Sequence, residues 1–159
     1  MSAKKSSSSL HQFLFSHSLV WLSLILVIII DQITKNLVLT RMQPNESIPV
    51  FKSIFHLTYV QNTGIAFGLF QDANLFFAIL SLAIIIAIVL YLPHVGRKEG
   101  SMQICLGMVL GGALGNLIDR IFLGFVVDFL DFRVWPVFNV ADSAISISIL
   151  CLAILLWKK

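Results

Sequence analysis

The stretch Asn74–Leu92, NLFFAILSLAIIIAIVLYL, runs for nineteen residues without a charged side chain. A helix needs about 20 apolar residues to cross the hydrocarbon core of a bilayer, which is about 30 Å thick. Backbone groups inside lipid must hydrogen-bond within their own segment, so such a stretch is helical. With three further apolar stretches, at about 13–39, 102–123 and 140–157, the sequence predicts four transmembrane helices.

The composition of the chain favours the same class of protein. Hydrophobic residues make up 58% of the sequence and charged residues 12%, whereas about a quarter of the residues of a soluble domain are charged. A length of 159 residues suits one compact bundle, so we expect a single membrane domain over 13–159 after a disordered cytoplasmic tail at 1–12. The predicted fold class is therefore an all-α polytopic membrane protein.

Basic residues predict the orientation of the helices. They are concentrated at both ends of the chain and in the connection between the second and third helices: Lys4, Lys5, Arg97, Lys98, Lys158 and Lys159. Cytoplasmic loops carry the excess of Lys and Arg, so both termini and 93–101 are expected in the cytoplasm. The segments 40–73 and 124–139 then face outward. The net charge of +3 reflects this topology, and we expect no nucleic-acid partner.

The outer segment 40–73 is too polar to be helical throughout. Pro44, Asn45 and Pro49 mark turns. Residues 55–60 alternate with the period of two that is typical of a half-buried strand. We therefore predict a small β-containing extracytoplasmic subdomain between the first two helices.

Two carboxylates lie beside these apolar segments. An acidic group at membrane depth costs about 3 kcal/mol or more, so one that is present is a candidate functional group. Asn139 is a good N-cap for the fourth helix, and the helix dipole alone could explain Asp142. No such explanation covers Asp128, whereas Asp131 is expected to be structural, balanced by solvent and Arg133.

If Asp128 and Asp142 meet, their like charges prevent both from ionising near neutral pH. The ionised member can take a proton from water, and the protonated member can donate to the oxyanion that forms on a peptide carbonyl. Amide side chains from Asn62, Asn116 or Asn139 could orient the substrate. The residues alone thus favour an aspartic dyad that hydrolyses a peptide bond.

Further polar residues lie at helical spacing. Asn116, Asp119 and Arg120 share one face of the third helix, where Asp119 and Arg120 either neutralise each other or hold carboxylates or a substrate carbonyl. Asp31 and Lys35 stand four residues apart in the favourable order for an ion pair, which either anchors the first helix or takes part in catalysis.

Glycines repeat every fourth residue in the third helix, at Gly107, Gly111 and Gly115. Small residues at this spacing let helices approach closely in a bilayer, and packing alone explains them.

Cys105 and Cys151 are expected to be small buried hydrophobic residues. Since no cysteine and histidine spacing is typical of a metal site, we assign no metal and no cofactor.

At these residues the chain resembles lipoprotein signal peptidase, also called signal peptidase II. The resemblance covers nearly the whole chain after Leu19, and five blocks in the same order make it specific. The blocks are Asp31–Lys35 (DQITK), Asn62–Phe67 (NTGIAF), Gly111–Arg120 (GGALGNLIDR), Val127–Phe129 (VDF) and Phe138–Ser143 (FNVADS).

The resemblance implies an aspartic endopeptidase of the bacterial inner membrane, with Asp128 and Asp142 as catalytic residues. Its substrates would be prolipoproteins that carry a diacylglyceryl group on a cysteine, and it would cut just before that cysteine. The implied partners are these substrates and membrane lipids, and a monomer is expected. The residues implied to support the site are Asp31, Lys35, Asn62, Gly64, Asn116, Asp119, Arg120, Asn139 and Ala141.

Two other functions remain as alternatives. Ser143 could be the nucleophile of a Ser/Lys protease with Lys35 as its base, although this leaves Asp128 unexplained. A small proton-coupled transporter would also place carboxylates in a membrane, but it would need them near the middle of the bilayer.

Overall fold

The computed structural model of the protein describes residues 12–64 and 73–157. Within these residues, four helices are long and apolar enough to cross a membrane. They are α1 (Ser18–Arg41), α2 (Asn74–Tyr91), α3 (Gly100–Phe122) and α4 (Val140–Trp157). The predicted fold class is therefore confirmed. Residues 1–11 of the predicted disordered tail lie outside the described part of the chain.

The first helix begins later than its apolar pattern predicts. The sequence predicts a start near residue 13, but a turn at His17 separates α1 from a helical segment at 12–16. The buried His17 ring lies within hydrogen-bonding distance of two backbone carbonyls, 2.9 Å from Phe13 O and 2.9 Å from Leu92 O. The ring therefore ties the start of α1 to the 3₁₀ turn Leu92–His94 that follows α2.

The centre of the bundle is α3, which packs against each of the other three helices. Its glycines explain this position. A Cβ atom added at Gly111 would lie 2.8 Å from Leu24 O in α1, and one added at Gly112 would lie 2.6 Å from Ala141 O in α4. The close approach predicted from the glycine spacing is therefore confirmed, and it extends to α1 on one side of α3 and α4 on the other.

A three-stranded antiparallel sheet covers one end of the bundle. Its strands, in spatial order, are β1 (Ser47–Phe51), β2 (Phe55–Asn62) and β3 (Val126–Asp131). The β structure predicted between the first two helices is confirmed by β1 and β2, but the third strand, which the sequence did not predict, comes from the connection between α3 and α4. Residues 126–129 are buried on both faces of the strand, and they therefore lack the period of two that marked β2.

Pro49 also differs from its predicted role as a turn residue. It lies within β1, where it pairs with His56 of β2. β1 is an edge strand, and a proline is tolerated there because its missing N–H can face away from the neighbouring strand. Asn45 does occupy a turn, with a φ of 66°.

The sheet shares a hydrophobic core with the end of α1. Val38 of α1 and Met42, which follows the helix, pack with Tyr59 of β2 and with Val127 and Phe129 of β3. Since Val127 and Phe129 flank Asp128, this core fixes the part of β3 that carries the first candidate carboxylate.

Gly111→Ala tests the close approach of α3 and α1. The new methyl group would meet Leu24 O and lie 2.9 Å from Val27 Cβ, and neither atom can move without a shift of α1. We expect a loss of about 1–3 kcal/mol in the free energy of unfolding, measured by thermal unfolding in detergent. The matched control is Gly96→Ala, whose Cβ would have its nearest neighbour at 3.6 Å. Equal unfolding temperatures for the two variants would contradict the packing argument.

Candidate active site

Asp128 lies in the middle of β3, where its side chain is 1% exposed. Both of its oxygens accept a short hydrogen bond. Asn62 Nδ2 donates to Asp128 Oδ2 at 2.7 Å, and Asn139 Nδ2 donates to Asp128 Oδ1 at 2.7 Å. The carboxyl group is therefore held from two sides, by the end of β2 and by the residue that precedes α4.

Asp142 lies in the first turn of α4 and is tied to Asn139 in both directions. Asp142 N donates to Asn139 Oδ1 at 2.9 Å, which confirms the predicted N-cap. Asn139 N donates in return to Asp142 Oδ2 at 3.3 Å, and Asn116 Nδ2 donates to Asp142 Oδ1 at 2.8 Å. Since the fully buried Asn139 also contacts Asp128, one residue brings the two aspartates together.

The surroundings of Asp128 favour its neutral form. Burial raises the pKa of Asp128 to about 7, and the negative charge of Asp142 contributes to the rise. Hydrogen bonds from Asn62 and Asn139 and the positive charge of Lys35 act in the opposite direction. A carboxyl group with a pKa near 7 can hold or release a proton at neutral pH, as acid–base catalysis requires.

Lys35 forms the centre of a second buried polar cluster. Its Nζ lies 2.8 Å from Asp31 Oδ2 and 2.9 Å from Asp119 Oδ2, and it donates to Asn116 Oδ1 at 2.9 Å. Gln32 Nε2 adds longer bonds to the same two carboxylates. The i, i+4 pair predicted between Asp31 and Lys35 is confirmed, but both side chains are almost fully buried among the helices.

Of the two roles left open for Asp119 and Arg120, a direct ion pair with each other does not form, because Asp119 pairs with Lys35 of α1. Within the described residues Arg120 makes no ion pair. Its Nη1 donates to Asn116 O at 3.4 Å, and its guanidinium carbon lies 5.5 Å from the centre of the Phe77 ring. Arg120 Nε is buried and has no hydrogen-bond partner within the described part of the chain, so it can still donate to a bound group.

Two predicted supporting residues contribute backbone groups. Gly64 N donates to Asn62 Oδ1 at 2.9 Å, which turns the Nδ2 of that amide toward Asp128. The φ of Gly64 is 121°, in the region that favours glycine. Ala141 N donates to Asp31 Oδ1 at 2.9 Å, and Ala141 is itself fully buried.

A groove of about 840 Å³ opens directly at the two aspartates. Its lining is mostly apolar: Asn62, Asp128, Phe132, Val134, Trp135, Pro136, Val137, Phe138, Asp142, Ser143, Ser146 and Ile147. The segment 132–138 forms one wall, and the Phe132 and Phe138 rings stack with their centres 5.9 Å apart. The sequence placed 124–139 on the outer side of the membrane but did not predict that this segment lines a groove, although its aromatic and branched residues beside Asp128 were a usable signal.

Comparisons with known proteins match nearly the whole chain. The family model described as "Signal peptidase (SPase) II" matches residues 23–158. The lipoprotein signal peptidase of Halothermothrix orenii is 45% identical over 141 residues, which cover 89% of this chain and 97% of that protein. The lipoprotein signal peptidase of Moorella thermoacetica is 50% identical over 137 residues, with 83% and 89% covered. A solved bacterial membrane enzyme, determined by the in meso method at 1.9 Å resolution, is 34% identical with a TM-score of 0.80, over 88% of this chain and 93% of its own.

Asp128→Asn tests the electrostatics of the site through stability. The folded protein holds the Asp128 proton up to a pH of about 7, whereas the unfolded chain releases it near pH 3.8, the ordinary value for an aspartate. The burial of Asp128 therefore costs little at pH 4 and on the order of 2–4 kcal/mol above pH 7. We expect the variant to gain stability relative to the wild type as the pH rises from 5 to 8, measured by thermal unfolding in detergent.

The control for this experiment is Asp131→Asn, three residues along the same strand. Burial alone would raise the pKa of Asp131, but hydrogen bonds from Thr58 and Arg133 outweigh it and hold the pKa below its usual range. That group stabilises the fold at neutral pH and loses its contribution in acid, so its variant should show no gain between pH 5 and 8. The same pH trend in both variants would contradict the assignment of a raised pKa to Asp128.

Proposed function

The chain belongs to the signal peptidase II family, which processes prolipoproteins, and we propose that it is an aspartic endopeptidase with Asp128 and Asp142 as its catalytic pair. Its reaction is the removal of the signal peptide from a prolipoprotein. The observation that carries the assignment of the pair is the position of Asn139, which hydrogen-bonds to both carboxyl groups at the groove. Two acids held by one residue beside an open groove form a unit that can share a proton.

The proposed mechanism uses one ionised and one protonated carboxyl group. The ionised group takes a proton from a water molecule, and the oxygen of that water attacks the carbonyl carbon of the scissile peptide bond. The protonated group donates to the developing oxyanion. Collapse of the tetrahedral intermediate breaks the C–N bond, and a proton from the pair passes to the leaving amine. The products are a signal peptide with a new carboxylate and a lipoprotein with a free amino group.

The substrate of this reaction is proposed to be a prolipoprotein with a diacylglyceryl group on its cysteine, cut just before that cysteine. The apolar groove suits an extended signal-peptide segment, and acyl chains that stay in the bilayer would hold the scissile bond near the membrane surface. Asn62 lines the groove, and its amide is proposed to bind a backbone carbonyl of the substrate. Asn116, which donates to Asp142, and Arg120, whose charge acts on Asp142, are proposed to support the site.

The proposal includes a location and an orientation in the cell. Membership of a bacterial lipoprotein-processing family supports a location in the inner membrane. The bias of basic residues supports an orientation with both termini in the cytoplasm and the site near the outer face. Segments 40–73 and 124–139 would then be extracytoplasmic. The domain over 13–159 would act as one unit, as a monomer surrounded by membrane lipids and without a cofactor.

The cleavage assay that tests the pair uses purified protein and a diacylglyceryl-modified prolipoprotein. Asp128→Asn and Asp142→Asn should each lower kcat by about 10³-fold or more, since each removes a group that exchanges protons with the substrate. The control is Asp131→Asn, which neutralises a buried carboxylate of the same strand that pairs with Arg133. It should keep kcat within about threefold. Full activity in either member of the pair would refute the dyad, and an inactive wild type would refute the function.

Ser143→Ala tests the alternative of a serine nucleophile. Ser143 Oγ donates to Asn139 O at 2.9 Å, and the three oxygens around Lys35 Nζ use all three of its donors. We therefore expect Ser143→Ala to retain at least about half of the wild-type kcat in the same assay. A loss as large as that of Asp142→Asn would restore the Ser/Lys protease.

The transporter is not favoured, since the family to which the chain belongs consists of peptidases.

A further inference from the structure

Two buried carboxylates hold the backbone directly beside the two members of the catalytic pair. Asp31 Oδ1 accepts a hydrogen bond from Ala141 N at 2.9 Å, and Ala141 immediately precedes Asp142. Asp119 Oδ2 accepts one from Val127 N at 3.1 Å, and Val127 immediately precedes Asp128. Each catalytic carboxyl group thus follows a residue whose N–H is bound by a carboxylate from another element.

Both N–H groups donate to a side chain that comes from another element. Ala141 N belongs to the first turn of α4, where backbone donors lack an intrahelical acceptor. Along β3, neighbouring N–H groups point to opposite edges, so only part of the strand can bond to β2. The carboxylates therefore decide where the first turn of α4 and the middle of β3 lie relative to the helices.

Lys35 joins the two carboxylates to each other. Its Nζ contacts Asp31 Oδ2 at 2.8 Å and Asp119 Oδ2 at 2.9 Å. The three side chains are at most 3% exposed, so solvent cannot screen the repulsion between the two acids. Without a cation between them the two acids would repel each other and separate, and their separation would weaken the hydrogen bonds that they accept from the backbone.

The third donor of Lys35 reaches the catalytic pair through an amide. Asn116 Oδ1 accepts hydrogen bonds from Lys35 Nζ at 2.9 Å and from Asn139 Nδ2 at 3.1 Å. With two donors on its oxygen, the Asn116 amide must present its Nδ2 to Asp142, where it donates at 2.8 Å. Lys35 thereby fixes the orientation of the group that binds Asp142.

We infer that Lys35 is a positioning residue that sets the separation of the two catalytic aspartates, by clamping together the carboxylates that hold the backbone before each of them. The inference rests on the proposed catalytic pair, since it needs two aspartates whose spacing matters. Small displacements of catalytic groups are costly, and an error of about 1 Å can lower a rate about 100-fold.

The test replaces the clamp without changing the net charge of the cluster. Lys35→Met combined with Asp119→Asn removes one positive and one negative charge, so the net charge of the cluster is unchanged and its remaining negative charge lies on Asp31. We expect kcat to fall about 30- to 100-fold, with KM within about threefold because neither residue lines the groove. Both constants are measured per folded molecule in the prolipoprotein cleavage assay.

The matched control is Gln103→Met, at a buried polar residue of the same helix α3. Gln103 Nε2 donates to Ser16 O and Gly96 O at the opposite end of α3, so its loss should weaken the fold without moving the pair. Its kcat per folded molecule should stay within about twofold of the wild type. If the double variant does not fold, Lys35→Met combined with Asp31→Asn, which also removes one charge of each sign, decides by the same criterion.

The outcomes separate this inference from the proposed function. Loss of kcat at unchanged KM in the clamp variant, with a normal control, supports the positioning role. A clamp variant with the kcat of Gln103→Met overturns it and leaves the pair intact. Full cleavage by Asp128→Asn or Asp142→Asn would refute the catalytic pair, and the inference with it.

Discussion

The ammonium of Lys35 between two carboxylates is the interaction on which the organisation of this protein depends. Burying an ion inside an apolar bundle is costly unless its charge is balanced and its hydrogen-bonding groups are satisfied. Lys35, Asp31 and Asp119 satisfy one another's hydrogen bonds, because all three donors of the lysine and both carboxylates have short contacts, and the single cation offsets part of the negative charge of the two acids. The cluster also connects α1, α3, β3 and α4, which are the elements that surround the candidate site.

This cluster can form only because α3 approaches α1 closely. A side chain at Gly115 would place its Cβ 2.5 Å from Asp31 Oδ2, so the absence of that side chain makes room for the carboxylate. One helical turn away, Gly111 lets the backbones of α3 and α1 touch, and Gly112 does the same for α4. The glycines that pack the bundle therefore also determine where charged groups fit inside it.

Asp128 contrasts with the ion-paired cluster of Lys35, Asp31 and Asp119 nearby. It receives two hydrogen bonds but no direct ion pair within the described residues, and its pKa rises to about 7 because of burial and the charge of Asp142. The acids that hold the backbone contact a cation directly, whereas Asp128 of the pair proposed to catalyse does not. Such a division is expected where an acid must exchange protons at neutral pH, since full compensation would keep it ionised.

The sequence by itself determined the four membrane helices, the β2 strand, the N-cap at Asn139 and the choice of Asp128 and Asp142 as candidate functional groups. Each of these follows from the hydrophobic pattern of neighbouring residues, from a capping preference or from the free-energy cost of placing an acid at membrane depth. It could not determine that β3 joins the sheet, since a strand buried on both faces has no alternating pattern. Nor could it pair Asp119 with Lys35 rather than with its neighbour Arg120, because these residues come from different helices. Only the tertiary structure decided these pairings, since contacts between distant segments depend on how closely the helices pack.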